Sequence, residues 1–268
     1  MRPLPGRLVL LGHPVGHSLS PKFQNAALRR AALPLTYEAL DVQPSALDAT
    51  IADLIAGRAA GNVTIPHKAH VAARCARLTP LAERVGAVNT FWVEDGGLVG
   101  DNTDVGGFRD ALARLAPDLD RARPVALLGA GGAAAAVLVA LADDGFTDVR
   151  VHARTPARGQ DLCARFGAAH SVARVDDAVR GATLVVNCTP VGLDGHSLPV
   201  EIELLDERAA VLDLVFGPNE TPFVHAARAR GLRAADGLDM LLEQGALAFE
   251  RWFGIAPDRD AMRQAVAR

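Results

Sequence analysis

The sequence predicts an α/β protein with two domains, each built on a mostly parallel sheet with helices on both faces. Its 268 residues correspond to roughly two domains of about 150 residues each. Short apolar runs alternate with helix-like stretches through both halves of the chain, and such a βαβ rhythm is typical of parallel sheets. Half of the residues are hydrophobic and 22% are charged, which is the composition of a packed globular protein. We therefore expect two cores with a cleft between them, where a ligand would bind.

The first predicted domain covers residues 1–104 and opens with a buried strand at 7–12, which Gly12 ends. We expect a helix from Pro21 to about Ala32, with Ser20 as its N-cap. The further elements predicted here are a strand at 36–41, a helix at 44–56, a strand at 61–65 that Pro66 stops, a helix at 70–77, and a hairpin of 88–93 and 98–100.

The second predicted domain covers residues 105–237. A helix at 104–115 leads into it, and a new series of strands and helices begins after Pro124. The elements predicted there are strands at 125–128, 149–153, 184–187 and 211–214, helices that end near 143 and 166, and a helix near 222–230. Residues 238–268 are largely helical and have no strand partner of their own. We expect them to pack back on the first domain and complete it.

Charge and apolar patterning exclude several classes of partner. The formal net charge is -3 and no basic run occurs, which argues against nucleic acid and anionic membranes. The uncharged stretch 124–142 is better explained as a buried strand and helix than as a membrane span, because glycines interrupt its start. Three widely spaced cysteines without a CxxC motif suit a reducing compartment, and the apolar run 8–11 is too short for a signal peptide. We expect a cytoplasmic protein that is a monomer or a homodimer.

A glycine-rich turn marks the start of the second domain. The strand at 125–128 runs into Gly129, Ala130, Gly131, Gly132 and Ala133, and an alanine-rich helix follows. Glycines allow a tight turn and a close approach of the backbone to a pyrophosphate, while the helix N-terminus supplies N–H donors. Close packing of a helix on a strand requires similar glycines, but the strand–turn–helix context favours dinucleotide binding.

The end of the next strand distinguishes between the two nicotinamide dinucleotides. NAD sites usually carry an Asp or Glu about 20 residues after the glycines, which binds the ribose 2′-hydroxyl. Here the segment 151–158 has no acidic residue and contains Arg154, Thr155 and Arg158. Two guanidinium groups and a hydroxyl suit the additional phosphate of NADP. An ordinary solvated helix start is the alternative, and NADP is the cofactor that we expect.

In the first domain, two serines and two histidines share the turn after the first strand. Ser18 and Ser20 lie two residues apart in an extended turn before a helix, so both hydroxyls can face one small anion. His13 and His17 do not form a helical i,i+4 pair, because Pro14 intervenes, and no third ligand is evident. A metal site is therefore not expected.

Five further polar residues lie at or near the ends of predicted strands in the first domain. They are Asn62, Thr64, Lys68, Asn89 and Asp104. Amides, hydroxyls, a lysine and a carboxylate at strand ends match a site for a polyhydroxylated acid. Each of these residues could instead cap a helix or a turn, and Asp104, which precedes a helix, would be a good N-cap.

Lysine is rare in this chain, since only Lys22 and Lys68 among the 28 basic residues are lysines. Arginine serves at most surface positions, but it does not release a proton near neutral pH, whereas a lysine can. Lys22 lies at a helix start, and a solvated side chain is expected there. Lys68 lies in a short turn-like segment, and we expect it to transfer a proton.

Seven segments together resemble the shikimate dehydrogenase family over essentially the whole chain. They are HSLSP at 17–21, NVTIPHK at 62–68, GAVNT at 86–90, DNTD at 101–104, GAGGAA at 129–134, NCTPVGL at 187–193 and GLDMLLEQGALAF at 237–249. Such enzymes reduce 3-dehydroshikimate to shikimate with NADPH, a step of chorismate and aromatic amino acid biosynthesis. The resemblance implies this activity, a substrate-binding first domain and a Rossmann-type NADP-binding second domain.

The resemblance also implies roles for individual residues. By it, Ser18 and Ser20 bind the substrate carboxylate, and Lys68 and Asp104 form the catalytic pair. The residues implied to hold the substrate hydroxyls are Asn62, Thr64, Asn89, Asp104 and Gln244. Those implied to bind the cofactor are Gly129, Ala130, Gly131, Gly132, Ala133, Arg154, Thr155, Arg158, Thr189, Val215 and Gly237.

The chemistry of ketone reduction agrees with the implied catalytic pair. Hydride addition to a ketone creates an alkoxide, which needs a proton donor within hydrogen-bond distance. A lysine ammonium can supply that proton. Asp104 would orient the ammonium of Lys68 and share a substrate hydroxyl.

Two departures from the family's usual pattern concern the implied site. Phe216 stands where the family usually has tyrosine, and Ala153 replaces a common asparagine. A related enzyme that acts on quinate with NAD is the nearest alternative, although such enzymes tend to carry threonine at the position of Ser20. A non-catalytic nucleotide-binding regulator is a more distant alternative, which would not be expected to keep both Lys68 and Asp104.

Overall fold

The structure, a computed structural model, describes residues 3–267 and divides into two compact units. The first unit runs to Gly107 and includes Leu241–Ala267, and the second unit is Phe108–Met240. Each unit contains a sheet with packed helices, so the predicted α/β fold class is confirmed. The first change of unit falls inside a helix, a few residues beyond the predicted boundary at residue 104.

Among the described residues, the first unit holds a six-stranded mixed sheet. Its strands are β1 (Arg7–Gly12), β2 (Tyr37–Asp41), β3 (Ala59–Val63), β4 (Arg77–Leu78), β5 (Thr90–Glu94) and β6 (Gly97–Asp101). Their order across the sheet is β2-β1-β3-β5-β6-β4. β1 pairs in parallel with β2 and β3, while β5 is antiparallel to β3 and β6. The carboxyl ends of β1, β3 and β6 and the amino end of β5 therefore meet at one edge of the sheet.

Helices pack against this sheet. They are α1 (Ser20–Arg30), α2 (Leu47–Ala56), α3 (Lys68–Arg74) and α4 (Pro80–Val85). A further helix, α5 (Asp104–Leu115), begins in this unit and continues into the second. β4 and α4 are not among the predicted elements, because each is too short to show a periodic pattern. The signals of α4 are local: the Thr79 hydroxyl caps it by accepting from the N–H of Ala82, and Gly86 ends it with φ of 68°.

The second unit holds a parallel sheet of the Rossmann type. Its strands are β7 (Val125–Leu128), β8 (Val149–His152), β9 (Ala169–Val172), β10 (Leu184–Asn187), β11 (Ala210–Asp213) and β12 (Arg233–Ala235). Its helices are α6 (Gly132–Asp143), α7 (Pro156–Cys163), α8 (Val175–Val179) and α9 (Pro222–Ala229). The strand order is β12-β11-β10-β7-β8-β9, so the chain reverses direction across the sheet between β7 and β10. In such folds the crevice outside the carboxyl ends of the strands at this point binds the ligand.

Short elements of the second unit escape sequence prediction. They are β9, α8 and β12, which have between three and five residues each. The two strands are only partly buried, and none of the three elements is long enough to show a clear periodic pattern of apolar residues. The longer predicted elements are all present. The uncharged stretch 124–142 forms β7 and most of α6, both buried. Within the described part of the chain, no helix is long and apolar enough to cross a membrane.

The C-terminal helices are α10 (Leu238–Phe253) and α11 (Arg259–Gln264). From Leu241 onward they belong to the first unit. The indole N–H of Trp252 donates to the carbonyl of Phe91 at 3.2 Å, which attaches α10 to β5. A Cβ on Gly245 would lie 2.4 Å from the Phe23 ring, so this glycine lets α10 approach α1 closely.

Candidate active site

Lys68 and Asp104 form an ion pair at the edge of the first sheet where β3 and β6 end. Lys68 Nζ lies 2.6 Å from Asp104 Oδ2, and the two side chains are 17% and 7% exposed. The pair forms because parallel strands end at the same edge: Lys68 begins α3 shortly after β3, and Asp104 begins α5 shortly after β6. Both groups thus lie at helix N-termini, where the negative charge of Asp104 is favourable.

Asn89 connects this pair to the rest of the cluster. Its Nδ2 lies 2.8 Å from Asp104 Oδ1, so the carboxylate accepts from Lys68 on one oxygen and from Asn89 on the other. The Asn89 Oδ1 accepts from the backbone N–H of Thr103 at 2.7 Å, which fixes the orientation of the amide. The alternative role of Asp104 as a side-chain N-cap is not what the structure shows, because both of its oxygens face these side chains.

Gln244 reaches the same cluster from α10. Its Oε1 accepts from Asn89 Nδ2 at 3.1 Å, and its Nε2 donates to the carbonyl of Leu241 at 2.8 Å. One N–H of the Gln244 amide is therefore left for another acceptor. Asn89 and Gln244 are separated by 155 positions in the sequence, so only the return of α10 to the first unit brings them together.

Asn62 lies behind Asn89 and is fully engaged within the protein. Its Nδ2 donates to the Asn89 carbonyl and to Thr90 Oγ1, both at 3.1 Å, and its Oδ1 accepts from the Tyr37 hydroxyl at 2.8 Å. Tyr37 is the chain's single tyrosine and is 1% exposed; burial raises the pKa of its phenol. Sequence reasoning missed this tyrosine, because a lone aromatic residue in a strand is indistinguishable from core.

Ser18 and Ser20 follow β1 at the same sheet edge, and one expectation about them is wrong. Ser20 is the first residue of α1 rather than its cap, and the preceding Leu19 is already helical with no side-chain cap. The Ser18 hydroxyl accepts instead from the backbone N–H of Ser20 at 3.2 Å. The helix begins one residue earlier because the carbonyl of Leu19 already accepts from the N–H groups of Lys22 at 3.0 Å and Phe23 at 3.3 Å. Both serines remain at the N-terminus of α1.

Thr64 directly follows β3 and packs close to the end of β1. A Cβ on Gly12 would lie 2.3 Å from Thr64 Cγ2, so Gly12 makes room for this side chain. Thr64 is half-buried, and its carbonyl accepts from the N–H of His67 in a turn that leads into α3. This turn presents Lys68.

In the second unit, the glycine turn fits a dinucleotide pyrophosphate. Gly129 has φ of 108°, and a Cβ there would lie 3.0 Å from the carbonyl group of Cys188. A Cβ on Gly131 would meet nothing within 4 Å, so open space adjoins the first turn of α6. α6 has no side-chain cap, which leaves the backbone N–H groups of its first turn for an anion. Ala130, Gly132 and Ala133 complete this turn.

The end of β8 carries the arginines expected to bind a phosphate. Arg154, Thr155 and Arg158 are exposed at the start of α7, and Thr155 makes no side-chain cap. Among the residues that the structure describes, neither arginine pairs with a carboxylate. The donor set of the glycine turn and these residues therefore fits NADP.

Thr189, Val215 and Gly237 lie in the loops that follow β10, β11 and β12. The Gly237 N–H donates to the carbonyl of Val215 at 3.1 Å, and a Cβ on Gly237 would lie 2.4 Å from the Leu214 oxygen. Thr189 is held by Asn187, the last residue of β10. All three residues are thus at the carboxyl edge of the second sheet. Among the described residues, no group of His, Cys, Asp or Glu is arranged to hold a metal ion.

Comparison with protein families identifies three consecutive matches. Residues 10–91 match the shikimate dehydrogenase substrate binding domain, and residues 111–191 match shikimate / quinate 5-dehydrogenase. Residues 237–267 match the shikimate 5'-dehydrogenase C-terminal domain.

Relatives that align over nearly the whole chain include shikimate and quinate dehydrogenases. A shikimate dehydrogenase (NADP(+)) of Mesorhizobium japonicum is 46% identical over 260 residues, covering 95% of this chain and 93% of the relative. Shikimate 5-dehydrogenase from Thermus thermophilus, solved with NADP(H) and shikimate, is 42% identical with a TM-score of 0.88, covering 97% of this chain and 98% of that one. Quinate dehydrogenase from Corynebacterium glutamicum, solved with NAD, is 28% identical with a TM-score of 0.86, covering 96% and 97%.

Proposed function

The chain belongs to the shikimate dehydrogenase family, and from this premise we propose that it is an NADP-dependent oxidoreductase that reversibly reduces 3-dehydroshikimate to shikimate. The observation that carries the proposal is the Lys68–Asp104 ion pair, buried at a sheet edge among amides and hydroxyls. We further propose that the enzyme serves chorismate and aromatic amino acid biosynthesis in the cytoplasm, as a monomer or homodimer that binds neither nucleic acid nor membranes.

Lys68 is the proton donor of the reduction. Reduced nicotinamide, when bound, supplies a hydride to the ketone carbon. As hydride addition converts the C=O double bond into a single bond, negative charge develops on the oxygen, and the Lys68 ammonium gives that oxygen its proton; the amine takes the proton back in the reverse reaction. Asp104 keeps the ammonium aimed by accepting from Nζ at 2.6 Å.

Asn89 lets Asp104 and the substrate share hydrogen bonds. Three acceptors surround its two Nδ2 protons, from Thr103, Asp104 and Gln244, at 2.8–3.1 Å. A substrate hydroxyl can therefore replace one acceptor without leaving an N–H unpaired. Gln244 offers its remaining N–H to a second hydroxyl.

The substrate carboxylate is held by Ser18 and Ser20 at the N-terminus of α1, where two hydroxyls and the helix dipole favour an anion. Thr64 borders the same edge and binds a hydroxyl. Asn62 contributes from behind by holding Asn89 and Thr90, since its own N–H groups are already bonded.

NADP would be held by three groups of residues in the second unit. The turn of Gly129, Ala130, Gly131, Gly132 and Ala133 receives the pyrophosphate, and Arg154, Thr155 and Arg158 bind the 2′-phosphate. The remaining contacts come from Thr189, Val215 and Gly237. Because no acidic residue stands in segment 151–158, the ribose 2′-hydroxyl of NAD lacks its usual partner.

Turnover of four substrate pairs tests the proposal. The purified chain is assayed by NADPH or NADH absorbance with shikimate or quinate and with NADP or NAD. We expect kcat/KM for shikimate with NADP to exceed that for shikimate with NAD by at least ~10-fold, because only NADP offers a phosphate for a charge-assisted contact. Shikimate should also be turned over faster than quinate with either cofactor. Equal or faster turnover of quinate with NAD would assign the chain to that related activity, and no turnover of any pair would reject both.

A further inference from the structure

Asp213 and Asn187 are register partners at the carboxyl ends of the neighbouring strands β11 and β10. Both are completely buried. They lie beside the strand-order reversal of the second sheet, and the loops that follow them carry Val215 and Thr189. Because buried polar side chains normally form hydrogen bonds, the partners of these two side chains show which groups they position.

Three donors converge on the Asp213 carboxylate. Oδ2 accepts from the Thr221 hydroxyl at 2.7 Å, and Oδ1 accepts from Asn187 Nδ2 at 2.8 Å and from the Val215 N–H at 3.1 Å. None of the described basic side chains pairs with it, and burial raises the pKa of this carboxyl. A buried carboxylate without a cation is costly unless hydrogen bonds compensate for it. The three hydrogen bonds supply that compensation, and in doing so they fix the groups that donate them.

The carboxylate orients the next amide in the network. Because Asp213 Oδ1 only accepts, Asn187 must turn its NH₂ group toward it, which directs the Asn187 Oδ1 to Thr189. That oxygen accepts from the Thr189 N–H at 3.0 Å and from the Thr189 hydroxyl at 2.6 Å. Asn187 Nδ2 also donates to the carbonyl of Val191 at 3.0 Å. The loop after β10 is thereby fixed from its stem.

The same carboxylate fixes the loop after β11 at both ends. The Val215 N–H is held at the start, and Thr221 is held at the other end. The Thr221 hydroxyl also caps α9 by accepting from the N–H of Val224 at 3.3 Å. One buried charge therefore links two loops and a helix terminus on the cofactor edge.

We propose that Asp213 is a positioning residue for the dinucleotide, which holds Thr189 and Val215 in the arrangement that receives it. This inference rests on the proposed NADP-dependent function. Asp213 itself touches neither substrate nor cofactor. It acts through Asn187 and through the Val215 backbone.

Direct NADPH binding by an Asp213→Asn variant tests the proposal. The change keeps the side-chain shape but removes the charge, and one position becomes an NH₂ group that cannot accept. Either Asn187 and the Val215 N–H lose their acceptor, or the Thr221 hydroxyl must reverse and accept, which leaves its own proton without this partner. NADPH fluorescence titration without substrate should give a Kd raised about tenfold, which corresponds to one hydrogen bond to a charged group. KM for NADP should rise in parallel, while KM for shikimate and kcat at saturating NADP stay within about twofold.

Val211→Ala is the matched control. Val211 is fully buried in the same strand, and its truncation destabilises the unit without altering the Asp213 network. If the Kd for NADPH rises equally in Val211→Ala at a similar loss of Tm, the effect is general destabilisation and the proposal is overturned. Thr221→Val keeps the side-chain shape but removes both the donor to Asp213 and the cap of α9. It should raise the Kd by a smaller factor than Asp213→Asn, and by more than Val211→Ala does at a similar loss of Tm; this variant keeps the test decisive if Asp213→Asn does not fold.

The outcomes separate this inference from the proposed function. Tight NADPH binding by the wild-type chain with an unchanged Kd in Asp213→Asn and Thr221→Val would overturn the positioning role alone. Absence of NADPH binding by the wild-type chain would overturn both.

Discussion

The amide nitrogen of Asn89 lies 2.8 Å from Asp104 Oδ1, the carboxylate oxygen that Lys68 does not engage. The carboxylate is therefore held from two sides, and its rotation is fixed. Since the Asn89 amide is fixed in turn by the Thr103 backbone N–H, the direction of the Lys68 ammonium depends on a short series of bonds anchored in the main chain. A preorganised proton donor of this kind does not have to reorient during the reaction.

Asp104→Asn should lower kcat by about 10²-fold, a usual acid–base contribution. The amide removes the negative charge that holds Lys68 and places an NH₂ group against either Lys68 or Asn89. Steady-state kinetics with NADP and shikimate measure the loss. Asp48→Asn, which removes an exposed carboxylate paired with Arg74, is the control and should leave kcat unchanged. Equal activity in both variants would remove Asp104 from the mechanism.

Substitution of two glycines of the cofactor turn should affect different properties, NADPH affinity at Gly131 and stability at Gly129. Gly131→Ala should change the free energy of unfolding by no more than about 0.5 kcal/mol, because its Cβ meets open space, yet it should weaken NADPH binding. Gly129→Ala should cost about 1–3 kcal/mol, because φ of 108° is strained for alanine and the Cβ presses on the Cys188 carbonyl. Urea unfolding and NADPH titration of both variants check this contrast. Unchanged NADPH affinity in Gly131→Ala would contradict a pyrophosphate at this turn.

Arg154→Ser should reduce the preference for NADP over NAD. Loss of a charge-assisted bond to the 2′-phosphate costs about 1.5–3 kcal/mol, so kcat/KM with NADP should fall at least ~10-fold. The value with NAD should stay within about twofold, since NAD has no such phosphate. The matched control is Arg174→Ser, which removes an exposed arginine of the same unit that pairs with Asp176. A parallel fall with both cofactors would show that Arg154 does not recognise the phosphate.

The cysteines should resist alkylation at neutral and mildly alkaline pH. Burial raises the pKa of Cys75 to about 11, and burial also raises the pKa of Cys163 and of Cys188. A raised pKa keeps each thiol protonated, and only the thiolate is reactive, so iodoacetamide at about pH 8 should label the native chain slowly. Labelling of Cys75 should accelerate as the pH approaches 11. Mass spectrometry with activity measured in parallel follows the reaction; rapid labelling at pH 8 in the folded state would contradict this expectation.

The site residues that could be predicted from the sequence are those whose residue type and local context both indicate a chemical role. Lys68 and Asp104 follow strand ends that a parallel sheet brings to one edge, and the structure brings them into contact. The glycine turn likewise depends on neighbouring residues only. Their roles in catalysis and binding remain proposals that the variants above test.

Residues that act through long-range packing could not be predicted in the same way. Tyr37 meets Asn62 only because β2 and β3 flank β1, and Asp213 meets Asn187 only through strand register. Ser20 was expected to cap α1, but the carbonyl of Leu19 accepts the first helical hydrogen bonds and the helix starts one residue earlier. Such outcomes depend on a competition between neighbouring helix starts and on distant partners, which a local pattern does not contain.

The most direct test of the central claim is the turnover of Lys68→Ala beside Lys22→Ala, since these are the only two lysines in the chain. The claim that Lys68 donates the proton predicts that Lys68→Ala lowers kcat for shikimate oxidation with NADP by at least ~10²-fold while KM for shikimate changes little. Lys22→Ala should retain wild-type kinetics. Near-normal kcat in a folded Lys68→Ala variant would contradict the claim.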